Sequence, residues 1–434
     1  MLKLSQVNQQ IGLILAIAIL LLITACTPTN LDRDGVVHLT LWQGINPPPN
    51  RDIFQKLVAK FNQQHPDIQV ESLYVGQADQ QLPKILAAVV GDAAPDLLWF
   101  GPMLTGELVE LEAIEPLDSF WNNSSISTEI DPVLRESMEL ENQIWSVPFG
   151  TNNVGIFYRP SLFKAAGITN LPTNWQELRL AAKQLTRDTN GDGKIDKYGM
   201  LLPLGKGEWT VFTWLPFMWG GGGEISNDKI TTTSSTVKIN NPGAIAALDL
   251  WHNLIKDGSA ILSSPERGYE LDSFMSGKVA MQLTGPWTLG QLAGKPEIDY
   301  GVMPIPGGIR SATSVGGENL FMMKGHPEHR QAAWKFMEYV LSQEFQTEWA
   351  LGTGYLPVNL KSRNSSIYQN YVSKTPATQV FLTQAKDGRS RPISAGYSQL
   401  SENIGRAIES VLLDRNSPQA ALKLAQERLD LNQR

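Results

Sequence analysis

Between residues 37 and 100 the apolar residues change period repeatedly, and that pattern restricts this chain more than any other feature. Val37, Leu39 and Leu41 alternate with polar neighbours, as in a half-buried strand. After the turn Asn46-Pro47-Pro48-Pro49-Asn50, the residues Ile53, Phe54, Leu57, Val58 and Phe61 repeat at helical spacing until His65-Pro66 stops them. Ile68, Val70 and Tyr74 mark a second strand. Leu82, Ile85, Leu86, Val89 and Val90 form a second helical stripe ending at Gly91, and residues 96–100 form a third strand. This β-α-β-α-β order predicts a mainly parallel sheet flanked by helices, because parallel neighbours need long crossovers. Ligands of such sheets lie beyond the carboxyl ends of the strands, which here are residues 42–46, 74–79 and 99–103.

A second alternation follows, with a strand at 154–158 and a helix at 176–186 opened by Pro172-Thr173-Asn174-Trp175, where Thr173 or Asn174 is the N-cap. Pro, Gly and Ser are spread over turns and not gathered into one linker. The pattern therefore describes two lobes joined by several short crossings. No internal repeat or long low-complexity tract interrupts it. A formal charge of −7 without a basic block argues against nucleic acid. Twelve Trp in so polar a chain stand out, since flat indoles stack on sugar rings as well as filling cores.

The one cysteine, Cys26, follows an apolar run at 11–23 and the residues Leu22-Ile23-Thr24-Ala25. Thirteen residues suit a secretory h-region better than a membrane span, which needs about 20. Small residues before the cysteine form a lipobox. Residues 1–25 are thus expected to be a lipoprotein signal peptide, Cys26 the lipidation site, and 26–35 a polar tether; an uncleaved anchor is the alternative. Removing the signal peptide takes away only Lys3 and moves the net charge from −7 to −8. With Cys26 lipidated, no thiol remains for a disulfide, a thiolate metal site or a nucleophile. Stability must come from cores, and about 400 residues suffice for two.

Further along, ordered segments resemble a known family. They are Gly91-Asp92-Ala93-Ala94-Pro95-Asp96-Leu97, Val147-Pro148-Phe149, Ile156-Phe157-Tyr158-Arg159 and Leu162-Phe163-Lys164-Ala165-Ala166-Gly167-Ile168. Next come Pro172-Thr173-Asn174-Trp175-Gln176-Glu177-Leu178, Phe274-Met275-Ser276-Gly277-Lys278-Val279-Ala280-Met281 and Gly285-Pro286-Trp287. Val315-Gly316-Gly317-Glu318-Asn319, Ala333-Trp334-Lys335-Phe336 and Gly354-Tyr355-Leu356-Pro357-Val358 complete the set. Together they resemble the extracellular solute-binding proteins of ABC importers, in the sugar-binding branch that includes maltose-binding protein. The resemblance implies an α/β, two-lobed periplasmic-binding-protein fold of type II, with a ligand cleft between lobes. It implies crossings near 152–154, 315–317 and 354–357, and hence one lobe from 36–152 plus 318–355 and another from 153–317 plus 356–434. Gly316-Gly317 and Gly354 suit hinges as well as plain turns.

A sugar-binding cleft combines carboxylate, amide and guanidinium groups with aromatic platforms. The resemblance makes Trp287 the first aromatic candidate, followed by Trp209 with Glu208 beside it. Gln43, Asn46 and Gln77 follow the first two strands, and Trp99 ends the third. Asn152 falls where relatives often carry aspartate; an amide donates as well as accepts. Glu318 and Asn319 adjoin the second crossing, Tyr355 the third, and Arg391 is the candidate guanidinium. Where maltose-binding protein has adjacent aromatics, this chain has Glu402 and Asn403, which shifts the expectation from a maltodextrin to a smaller polar ligand. Mono- and disaccharides, glycosylated polyols and glycerol phosphodiesters stay open, with phosphorylated ligands disfavoured by the lack of an Arg/Lys cluster.

Asp188, Asn190, Asp192 and Asp196 occupy positions one, three, five and nine of a calcium-type loop, but position twelve is Gly199 instead of glutamate. An Asx-rich turn is the first reading and a structural calcium the alternative; no other cofactor is expected. The chain lacks a Gly-x-Ser-x-Gly elbow, a His-Glu-x-x-His helix and a P-loop. A non-enzymatic, monomeric receptor is therefore expected, tethered outside the cytoplasm and serving two permease subunits with a cytoplasmic ATPase. A sensory binding protein and a glycosidase are the alternatives.

Overall fold

The alternation of Leu39 and Leu41 does place those side chains in a core, on the strand β1 (Val37–Gln43). A computed structural model describes residues 35–226, 237–263, 271–325 and 327–432. Cys26, the signal peptide and nearly all of the tether lie outside the described residues. In chain order the strands are β1, β2 (Ile68–Tyr74), β3 (Leu97–Phe100), β4 (Glu139–Leu140), β5 (Gln143–Ile144), β6 (Ser146–Pro148), β7 (Asn152–Asn153) and β8 (Gly155–Tyr158). They continue as β9 (Tyr198–Leu202), β10 (Ala260–Leu262), β11 (Val279–Thr284), β12 (Gly301–Met303), β13 (Thr313–Gly316), β14 (Asn319–Met322) and β15 (Gly388–Arg389).

Two five-stranded sheets form the lobes, in the orders β2-β1-β3-β14-β6 and β10-β9-β11-β8-β12. Both are mainly parallel, as expected, with four of the five strands in each running the same way. Two pairings in each are antiparallel because a single strand, β14 in the first and β8 in the second, runs against the other four. The reason lies in the crossings. β14 and β8 begin where the chain enters a lobe at the cleft, so both run away from the cleft while β1, β3, β9 and β11 run towards it.

The linking sheet β15-β13-β7 joins the lobes, and Thr151 bridges Leu356 beside it. The first lobe packs helices Pro48–Gln64 and Pro327–Leu341 on its sheet through Phe54, Leu57, Phe61, Phe336 and Val340. The second packs Glu208–Gly220, Pro242–Lys256 and Tyr397–Leu412 through Trp214, Leu248, Trp251 and Ile404. Trp175–Leu185 opens at Asn174, whose side chain accepts the Glu177 N–H, which resolves the N-cap. One boundary differs from the expectation. Tyr368 and Val372 of helix Ser366–Lys374 pack on Ala350 in the first lobe's helix Gln343–Thr353, so this part of 356–434 lies against the first lobe. Among the described residues no helix is long and apolar enough to cross a membrane.

Candidate ligand-binding site

The carboxyl ends of β1, β3 and β11 and the linking strands converge on a cavity of about 220 Å³ between the lobes. That lies below the roughly 300–1,000 Å³ of sites for drug-sized molecules. From the first lobe come Asn46, Gln77, Asp79, Gln81 and Trp99; from the second, Glu208, Trp209, Phe212, Gln282 and Trp287. Asn152, Glu318, Tyr355 and Arg391 close it at the crossings.

The aromatic wall has a local cause at Gly285. A Cβ there would stand 2.1 Å from the Trp287 ring, so only glycine lets that indole fold back over the strand end. Trp287 then meets Trp209 edge to face at 5.9 Å and tilts against Tyr355 at 6.3 Å. Its carbonyl accepts a 3.2 Å hydrogen bond from Asn50 Nδ2 of the first lobe.

Arg391 does not hang free as a ligand hook. Its Nη1 donates to Glu208 Oε1 at 2.5 Å, and the guanidinium lies 4.4 Å over the Phe212 ring. Burial works against the Arg391 charge, yet Glu208 and Tyr397 hold its pKa above the ordinary value. Glu208 is itself saturated, accepting from Tyr397 Oη at 3.0 Å and from Ser401 Oγ. Glu318 is the opposite case. Its carboxyl is enclosed at the second crossing yet touches the cavity, and among the described residues its one side-chain partner is Tyr355, whose Oη donates a long 3.4 Å contact. Burial pushes Glu318 up to about 7, against the pull of Arg391, and raises Tyr355 well above the tyrosine range.

Four buried atoms on the cavity wall lack a protein hydrogen-bond partner among the described residues: Trp99 Nε1, Asn152 Oδ1, Gln81 Oε1 and Gln282 Oε1. Three of the four are acceptors.

Two expected residues are elsewhere. Gln43 turns its Oε1 onto Ile45 N at 2.8 Å and does not line the cavity. Asn319 donates to Ser137 O and Ser146 Oγ, at 2.9 and 2.8 Å, inside the first lobe. Asp79, Gln81 and Gln282 were missed; a Gln between Met281 and Leu283 in an otherwise apolar strand was the available signal. Glu402 and Asn403 line a wider outer groove that shares Asp79, Glu208 and Trp209 with the cavity.

The supposed calcium loop closes on itself. Asp188 accepts from Gly191 N and Gly193 N, Asn190 from Asp192 N, Asp192 from Lys194 N, and Asp196 from Thr189 N and Oγ1, at 2.7–2.9 Å. Among the described residues no three His, Asp or Glu are grouped to hold a metal ion.

Residues 47–347 match the family model described as bacterial extracellular solute-binding protein. The chain belongs to this family. It is 24% identical over 412 residues to the sn-glycerol-3-phosphate-binding periplasmic protein UgpB of Salmonella paratyphi A, covering 91% of this chain and 92% of that one. The cyclic α-maltosyl-1,6-maltose binding protein of Arthrobacter globiformis is 25% identical with a TM-score of 0.74, covering 92% of this chain and 99% of that one. A Thermotoga lettingae ABC-transporter solute-binding protein bound to α-D-tagatose aligns with a TM-score of 0.80 at 23% identity, over 92% of this chain and 100% of that one. These establish the two-lobed periplasmic-binding-protein fold and a solute-binding role, and they favour binding over the glycosidase alternative. In such a protein, ligand contacts made from both lobes stabilise the closed form.

Proposed function

We propose that this protein is the lipid-anchored receptor of an ABC importer, capturing a small carbohydrate or polyol between its lobes and delivering it to the permease. The observation that carries this reading is a small cavity between the lobes lined by Trp99, Trp209, Trp287 and Tyr355 together with the polar side chains of Gln81, Asn152, Gln282 and Glu318. Hydroxyls pair with such atoms, and a sugar's C–H face packs on Trp287 and Trp209. Relatives whose ligands include tagatose and a cyclic maltosyl-maltose support the class. A phosphomonoester fits poorly, because Arg391, the one cation lining the cavity among the described residues, is already paired with Glu208. Cys26 carries the lipid, the mature protein works as a monomer outside the cytoplasm, and two membrane subunits with a cytoplasmic ATPase receive it when closed. A sensory role would use the same cleft with a different membrane partner.

A thermal-shift screen against sugars, polyols, glycosides, glycerophosphodiesters and amino acids tests the reading. A ligand at a hundred times its Kd should stabilise by about 2.7 kcal/mol. Trp287→Ala should weaken that ligand by roughly 2 kcal/mol, about thirtyfold, with an unchanged circular dichroism spectrum. Binding of amino acids alone, or full affinity in the variant, would defeat the assignment.

A further inference from the structure

The charges lining the cavity do not balance. Asp79, Glu208, Glu318 and Arg391 are its ionisable acidic and basic residues, so three carboxyls face one guanidinium. Arg391 donates through Nη1 to Glu208, and its side chain is only 8% exposed. Asp79, exposed at the mouth, accepts the Glu208 N–H from across the cleft at 3.3 Å. Glu318 has no cation within ion-pair distance among the described residues, and its one hydroxyl contact exceeds the usual O–H···O range of about 2.5–3.0 Å.

The hydrogen-bonding inventory leans the same way. Among the described residues Asn152 Oδ1, Gln81 Oε1 and Gln282 Oε1 are buried acceptors on this wall without a protein partner. N–H or O–H donors on a ligand are the groups that pair with them. A phosphate oxygen brings none and adds negative charge beside Asp79 and Glu318. Next to Glu318, the rings of Tyr355, Trp287 and Trp209 touch in series at 6.3 and 5.9 Å. A carboxylate beside aromatic faces is the chemistry that recognises an ammonium group, by charge-assisted hydrogen bonds and cation–π attraction.

We infer that the solute captured here carries an ammonium group, read by the Glu318 carboxylate and the adjoining aromatic rings. This rests on the binding role proposed above and narrows it. Amino sugars present that group with its N–H donors, whereas a choline diester offers a cation without N–H and adds a phosphate. Burial holds Glu318 partly protonated at neutral pH, so an arriving cation displaces its proton.

The test is titration calorimetry at pH 7 with 2-amino-2-deoxy sugars of the gluco, galacto and manno series, their neutral parents, glycerophosphocholine and glycerol. Each titration is run in two buffers of different ionisation enthalpy. The expected result is an ammonium compound binding at least tenfold tighter than its uncharged parent, about 1.4 kcal/mol, with proton release. Glu318→Gln should abolish both the preference and the proton release; its thermal melt at pH 5, where Glu318 too is uncharged, shows whether it folds. Preference for the choline diester, which has a phosphate and no N–H, over every amino sugar would overturn the inference. A neutral parent binding as tightly as its amino counterpart would overturn the inference while leaving the carbohydrate reading standing. An undiminished preference in Glu318→Gln would overturn the role of Glu318. Binding of no compound at all would sink both.

Discussion

Replacing Glu318 by Gln tests the electrostatics of the cleft without any ligand. Burial moves this carboxyl from 4.5 to about 7 in the native protein. At 1.36 kcal/mol per unit, that displacement corresponds to roughly 3 kcal/mol. The sign follows from proton counting. Between the two pKa values the native state holds a proton that the unfolded chain has released, so native stability falls as pH rises through this window. Below about 4.5 both states are protonated and there is no penalty; above about 7 the penalty is complete. The groups facing Glu318 are Tyr355, whose hydroxyl donates to it, and Arg391, whose charge opposes the shift from its pair with Glu208. Glutamine keeps an acceptor for Tyr355 and does not titrate. The stability difference between variant and wild type should therefore grow in the variant's favour by roughly 3 kcal/mol from pH 4.5 to pH 8. For about 400 residues this is a relative rise in Tm of about 4 °C. Scanning calorimetry of both ligand-free proteins in matched buffers reads it, and subtracting the curves removes every other titrating group. A difference that stays flat across this range would refute the reasoning, because Glu318 would then be equally well solvated or paired in both states.

Glu208→Gln should leave the buried Arg391 without its counter-charge and lower stability by about 3–5 kcal/mol, read as a reduced urea midpoint; an unchanged midpoint counts against the pair. Gly106 N donates to Ile393 O across the lobes at 2.9 Å, and a Cβ at Gly106 would stand 1.9 Å from Ala395 N. Gly106→Val should therefore hold the lobes apart, so that solution scattering keeps an open profile at saturating ligand and affinity drops at least about tenfold. Full closure in that variant would show that the contact plays no part. A chelator should leave Tm unchanged, whereas Asp188→Ala, which strips two N–H acceptors from the turn, should lower stability by about 1–3 kcal/mol; a melting point that falls with chelator would restore the calcium reading.

What the sequence shows well here is whatever depends on near neighbours. The period of Leu39 and Leu41, the stop at His65-Pro66 and the cap at Asn174 each involve a few adjacent residues, and each appears in the fold. The same rule, applied strictly, also excludes Gln43 from the cleft. It shares parity with Leu39 and Leu41 on β1, so its side chain belongs to the core face, where it is fully buried. Proximity to the strand end had suggested the opposite. Strand direction was harder to read, because β8 and β14 take their sense from where the chain enters each lobe and not from their own residues. The pairing of Arg391 with Glu208 was out of reach, since 183 residues separate them and only the packing of Tyr397–Leu412 on Glu208–Gly220 brings them together. That pairing decides the character of the site. Read singly, Arg391 suggests an anion hook; read with its partner, it is neutralised, and the cleft is left with acceptors, aromatic faces and the enclosed Glu318 carboxyl. Local pattern thus locates the cleft, while a long-range ion pair sets the sign of charge it welcomes.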